Sequence, residues 1–203
     1  MKRGFVLFLL VFLTLCCTGC IAESACWLYS SDGKINGFYV AVNETANCCF
    51  VGTYTCEEYA ENQEITIPDE FDGKPIKRIG GTYGSGVPSP FSISVASLYM
   101  NASEDSEYGG IYHGDLKDFN IAEEYRVEDV CFVLNIGKNI ETIEFVDMDE
   151  YYPHINEDGS ITFYHPVVYV KCAEDNPYFY SKDGKLYDKK TDALISQFAY
   201  AAN

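Results

Sequence analysis

Two distant segments of this chain share one spacing of apolar residues, and that repetition constrains the fold more than any other feature. In Ile65–Gly80 the apolar positions fall as two pairs, Ile65/Ile67 and Ile76/Ile79, separated by Pro68 and a turn at Gly73. Leu134–Phe145 repeats the plan with a shorter turn: Leu134/Ile136, then Ile140/Ile143. A short strand, a turn and a second short strand expose an apolar edge that only a neighbouring unit can cover. The expectation is therefore a short stack of such units, a solenoid with a cap at each end. A third short strand, Val167–Val170, leads into Asn176-Pro177-Tyr178-Phe179-Tyr180. A second echo links Tyr29-Ser30-Ser31-Asp32-Gly33-Lys34-Ile35 to Tyr180-Ser181-Lys182-Asp183-Gly184-Lys185-Leu186, each with an Asp-Gly tight-turn signal.

Strand signals dominate elsewhere. Phe38–Val42 and Cys48–Cys56, joined by the polar Asn43–Asn47, read as a hairpin. Period two places Cys48, Phe50, Tyr54 and Cys56 on one face of the second strand, with Cys49, Val51 and Thr53 on the other. Phe91–Tyr99 alternates as a half-buried strand does, Gly80–Pro90 reads as a loop, and Asn101–Gly110 as an acidic surface loop. Two short helices are expected, over Glu57–Gln63 and Asp115–Tyr125.

The segment Ile65–Gly80 resembles the opening unit of BspA-type leucine-rich repeat proteins, which are common on the surfaces of anaerobic bacteria. The tail from Val168 to Ile195 resembles a closing segment of that family: an Asn-Pro-aromatic turn, then Ser-x-Asp-Gly-x-Leu-Tyr, then Leu194-Ile195. The unit Leu134–Phe145 departs from the pattern, with Gly137 in place of the usual Pro and Glu144 in place of the usual Gly. The family's Ala-Phe-x-x-Cys turn is absent, which leaves the repeat number open. The resemblance implies a short leucine-rich-repeat solenoid; with the strand signals and the clustered cysteines, the expected fold is mainly β with few helices, the solenoid following a cysteine-rich β-hairpin module. The resemblance also implies attachment to host proteins or to other cells.

The N-terminus reads as an export signal. Met1-Lys2-Arg3 precedes an apolar run from Gly4 to Leu15, shorter than the roughly 20 residues a spanning helix needs. Leu15-Cys16-Cys17-Thr18-Gly19-Cys20 resembles a bacterial lipobox with Cys20 as the lipidated residue, although Cys17 stands where Leu is usual. The alternative is ordinary cleavage near Ala22 or Ala25. The expected organisation is a signal peptide at 1–19, a cysteine-rich β module at 20–63, and repeats at 64–203 with an irregular insertion at 81–130. The mature protein would face the outside of the cell and touch the membrane only through its lipid.

Six further cysteines, Cys26, Cys48, Cys49, Cys56, Cys131 and Cys172, are candidates for disulfides in an exported chain, with the pairing open. Zinc is disfavoured because no Cys-x-x-C or His spacing suits it. A catalytic thiol would need a nearby histidine, and His113, His154 and His165 lie far off in sequence.

A formal charge of −17 opposes nucleic-acid binding, which needs clustered Lys and Arg. The carboxylates of Asp147-Met148-Asp149-Glu150 and of Asn101–Glu107 fit no calcium-loop pattern and read as solvated. Gly80–Gly86 lacks the Lys-Ser/Thr ending of a phosphate loop. The tyrosines Tyr151, Tyr152, Tyr164, Tyr169, Tyr178 and Tyr180 read as strand residues that could also form a contact surface. The expectation is a non-catalytic surface module, without cofactor or metal, that binds protein or glycan. A surface-glycan hydrolase and a structural accessory of a larger complex are the alternatives.

Overall fold

The computed structural model describes residues 33–56, 60–82, 88–95, 112–113 and 125–202. All of them fall in one compact unit, Gly33–Asn203. The apolar run, the Cys20 lipobox, Cys26 and the acidic stretch 101–110 lie outside the described residues.

The fold is mainly β, with no helix among the described residues. Strands β1 (Gly33–Ile35), β2 (Phe38–Asn43) and β3 (Cys48–Cys56) form an antiparallel meander. A two-residue turn at Asn36-Gly37, with φ of +50° and +88°, closes β1 onto β2. The expected hairpin is thus present, but β3 is not half-buried. Cys48, Cys49, Phe50 and Val51 are all buried, so both faces of its first half are covered.

Next come β4 (Gln63–Thr66), β5 (Glu70–Phe71), β6 (Lys74–Ile79), β7 (Gly81–Thr82), β8 (Pro88–Ser89), β9 (Ile93–Val95) and β10 (Tyr112–His113). The long β11 (Tyr125–Ile136) is followed by β12 (Thr142–Ile143), β13 (Glu150–Ile155), the long β14 (Ile161–Cys172), β15 (Phe179–Lys182) and β16 (Lys185–Asp188). One sheet runs β1-β2-β3-β6-β12, with β9 on β3 and β5 on β6; a second runs β10-β13-β14-β11-β4. β3, β6 and β12 are parallel neighbours, as are β4, β11 and β14. The hairpin and the repeat strands therefore share a sheet.

Register places the two sequence repeats side by side. Leu134 lies opposite Ile65 on one side and Val170 on the other, and Ile143 lies opposite Ile79. Along β11, Val130, Phe132, Leu134 and Ile136 are buried while Cys131, Val133 and Asn135 are half-buried, the period-two signature of a strand with one covered face. The buried set joins Ile65, Ile67, Ile76, Ile79, Ile140, Val168 and Val170 in one core. Burying each such side chain contributes about 1.5–3 kcal/mol.

Two local expectations are corrected. Gln63, expected at a helix end, opens β4, and Gln63 N donates to Ala60 O at 3.1 Å across a turn. Parallel pairing of Gln63 with Phe132 outweighs the helix propensity of the segment. Tyr125, expected to end a helix, begins β11 paired with Ile161; residues 115–124 lie outside the described set. Within the expected loop, β7 pairs with β8.

Candidate binding face on the parallel sheet

The face of β14-β11-β4 turned away from the core carries one residue per strand in successive rows, because residues paired in register point to the same side. One row holds Lys171, Asn135 and Thr66; the next holds Tyr169, Val133 and Glu64. Beyond them Val167 pairs with Cys131, and His165 with Asp129. Lys171 Nζ reaches Glu64 Oε1 at 2.7 Å, and Asn135 Nδ2 donates to Thr66 Oγ1 at 3.1 Å. The ion pair is exposed and adds little stability.

An open groove of about 440 Å³ lies across these rows. Its walls include Asn62, Asp129, Cys131, Val133, Val167 and Tyr169, with Ala201 and Ala202 completing them. The chain reaches this place because Val168 N donates to Ala199 O and Ala201 N to Val168 O, which ties the C-terminal segment along β14. Tyr169 keeps 42% of its surface exposed. A second groove of about 400 Å³, lined by Thr66, Asp69, Asn135, Gly137 and Lys171 among others, continues the face toward the turns.

His165 links the face to the adjoining strand. Its Nδ1 lies 3.2 Å from Asp129 Oδ1, its Nε2 lies 3.1 Å from Met148 O, and its ring stacks on Tyr151 at 4.7 Å. These partners hold the ring in place and supply no nucleophile. His154 packs 6.0 Å from the ring of Tyr164. His113 lies in β10.

The described cysteines are spread over three strands: Cys48, Cys49 and Cys56 on β3, Cys131 on β11 and Cys172 on β14. No two of them are bonded to each other. Cys172 pairs in register with Ile136, five positions along β11 from Cys131. Burial pushes the Cys131 thiol up, and the carboxylates of Asp129 and Glu61 add to that. Burial pushes Cys172 up to about 11. Both are poor thiolate formers at neutral pH.

Among the described residues no group of three or more His, Cys, Asp and Glu side chains could hold a metal ion. In the acidic stretch near Asp147, Met148 is buried and Glu150 accepts a hydrogen bond from Tyr152 at 2.5 Å. The tyrosines divide sharply. Tyr169 and Tyr178 are exposed, Tyr152 is buried, and Tyr180 stacks on Tyr187 at 5.3 Å. Burial raises the Tyr152 hydroxyl far above its ordinary range, with Glu150 adding to the effect.

Sequence reasoning picked out Tyr169 and Cys131 separately. It missed Asn62, Asp129, Val133 and the C-terminal alanines as their neighbours. Val127–Val133 alternates outward and inward, and that was the available signal. The partner row on β14 follows only from the parallel register. No family model, no curated protein and no solved structure matches the chain.

Proposed function

We propose that this chain is a bacterial cell-surface lipoprotein that acts as a non-catalytic binding module for protein or glycan, built as a short leucine-rich-repeat-like solenoid. The carrying observation is the exposed face of three parallel strands, where Tyr169 stands beside an apolar-floored groove. Support for the solenoid reading comes from the two strand sets. The first two units each give one strand to β4-β11-β14 and the next to β6-β12, and equivalent apolar residues stack: Ile65 with Leu134, Ile79 with Ile143. Turns stack too, since Asn139 Nδ2 donates to Asp69 O at 3.2 Å. The lipid on Cys20 and the outward location rest on the N-terminal sequence.

A binding role suits the chemistry of this face. Its histidine is held by a carboxylate and a carbonyl, and its thiol is held protonated by burial. The face offers an aromatic ring, apolar floor and polar rim, the mixture found in contact surfaces.

The test is a screen of the full chain, purified with its anchor, against glycan and extracellular-protein arrays beside Tyr169→Ala. A ligand retained by the wild type, weakened in the variant and recovered intact is the expected result. A ligand recovered cleaved would replace binding by hydrolysis. Ligands held equally by both proteins would move the site off this face.

A further inference from the structure

We propose that the open edge of β11 pairs with the same edge of a second copy of this chain, as antiparallel strands related by a two-fold axis at Val127.

β11 has a strand on both sides only along its second half. β14 pairs with it from Tyr125 to Ile136, whereas β4 pairs only with Phe132–Asn135. Just before β4, Asn62 N donates to Cys131 O, and just after it Ile67 N donates to Asn135 O. Alternate residues of a strand address the same edge, so Tyr125, Val127 and Asp129 also aim their backbone groups to the β4 side. β4 begins too late to meet them, and among the described residues no other strand pairs with them there. Tyr125 and Val127 are 39% and 43% exposed, and Arg126 and Glu128 reach solvent as well. An aromatic and a β-branched residue on an open strand edge are a template for a further strand.

The charges choose the partner. Arg126 and Glu128 lie on one face of the strand and pair with each other. In an antiparallel pair, a residue that addresses the shared edge faces another that does. A two-fold axis at Arg126 would set Arg126 against Arg126, and one at Glu128 would set Glu128 against Glu128. An axis at Val127, the middle of the open stretch, sets Arg126 against Glu128 of the other copy, twice. It also sets Val127 against Val127 and Tyr125 against Asp129. Each charge keeps its neighbour along the strand and gains a second opposite one about 5 Å across. Asp129 keeps His165 as its partner. The backbone contributes about six hydrogen bonds. A second copy matches this charge pattern by symmetry, which an unrelated strand does not.

The experiment is sedimentation equilibrium of the full chain in a density-matched detergent, over a range of concentrations. The wild type should show a monomer–dimer equilibrium. Arg126→Glu and Glu128→Arg should each weaken the dimer roughly tenfold or more, since each turns both cross-strand pairs into like charges. Mixed in equal amounts, the two variants should recover the dimer, because every Glu then faces an Arg. Val127→Pro removes an N–H that only the second copy would use, so it should abolish the dimer while circular dichroism shows the sheet retained. If that variant fails to fold, the two charge variants, at solvent-reaching positions, still decide. A wild type that stays monomeric at every concentration would overturn the second copy as occupant and leave the edge to a strand of another protein. Dimers untouched by either charge variant would overturn the proposal by placing the interface elsewhere. Weakening without recovery on mixing would overturn the axis at Val127.

Discussion

The ring of Tyr169 rests against the backbone of Gly184: a Cβ on that glycine would fall 2.4 Å from Cδ2 and 2.5 Å from Cε2. Gly184 has φ of +72° and closes the β15–β16 turn together with Asp183 at +51°. One glycine therefore serves the turn and fixes the exposed tyrosine of the proposed face. Gly184→Ala should displace the ring and strain the turn, costing about 1–3 kcal/mol. Urea denaturation measures the stability, and a ligand found by the array screen measures the face. A stable variant with unchanged ligand affinity would mean that the ring's position does not matter.

Asn176 is fully buried, and its side chain is satisfied on all sides. Nδ2 donates to Gly137 O at 2.8 Å and Ile140 O at 3.0 Å; Oδ1 accepts from Tyr178 N and Phe179 N, both at 2.8 Å. It thereby joins the turn after β14 to the turn between β11 and β12. Asn176→Ala strands buried amides and carbonyls, so a loss of about 3 kcal/mol is expected, several times the net value of one ordinary hydrogen bond. Asn176→Asp should also destabilise, because a carboxylate would face two carbonyls. Denaturation midpoints within error of the wild type would show that water satisfies these groups as well as the amide does.

Alkaline titration tests the C-terminal segment. Tyr200 donates to Ile195 O at 2.5 Å and accepts from Leu186 N at 3.3 Å, and burial pushes its hydroxyl up to about 12. The folded state thus holds this proton more tightly than the unfolded state, where the group ionises near 10. Its contribution is complete below pH 10 and is lost as pH rises through about 12. Tyr200→Phe should lose about 1 kcal/mol at neutral pH and show a shallower fall of stability at alkaline pH, with Tyr152, Tyr54, Tyr180 and the Cys131 and Cys172 thiols, all shifted up, supplying the remaining slope. Parallel stability curves for the two proteins would exclude Tyr200 from the alkaline transition.

The mainly β character was legible because period-two alternation and Asx-Gly turns are local signals. Asp183-Gly184 makes the tight turn expected of it, and Phe38–Asn43 with Cys48–Cys56 forms the hairpin. The apolar pairs of Ile65–Gly80 and Leu134–Phe145 meet in register, since a repeated spacing carries its own alignment. What was not legible depended on partners far away in sequence. Gln63 became a strand residue because Phe132 lies beside it, and Tyr125 because Ile161 does. The groove combines residues from four segments, and only the register of β11 on β14 places Asp129, Val133 and Tyr169 on one face.

If Cys20 carries the lipid, Cys20→Ser should leave the protein unlipidated and move it from the membrane fraction to the medium or to an uncleaved precursor. Intact mass of both fractions reads this directly. Membrane retention of a Cys20→Ser protein at the mass of the wild type would point to another anchor.

The register of the parallel sheet can be tested with two adjacent residues. Leu134 faces the core between Ile65 and Val170, whereas Val133 faces outward between Glu64 and Tyr169. Leu134→Ala should cost about 2–5 kcal/mol, the range for emptying a buried leucine site. Val133→Ala removes half-buried surface and should cost about 1 kcal/mol, near one or two buried methyl groups. The contrast is informative because a slip of one residue in β11 would send Leu134 outward and Val133 into the core. Reversal of the two costs would therefore refute the pairing of Leu134 with Ile65, and with it the stacking of the two repeats and the groove built on the opposite face. With the predicted order, Val133→Ala should also be the variant that alters ligand binding, while Leu134→Ala alters stability alone.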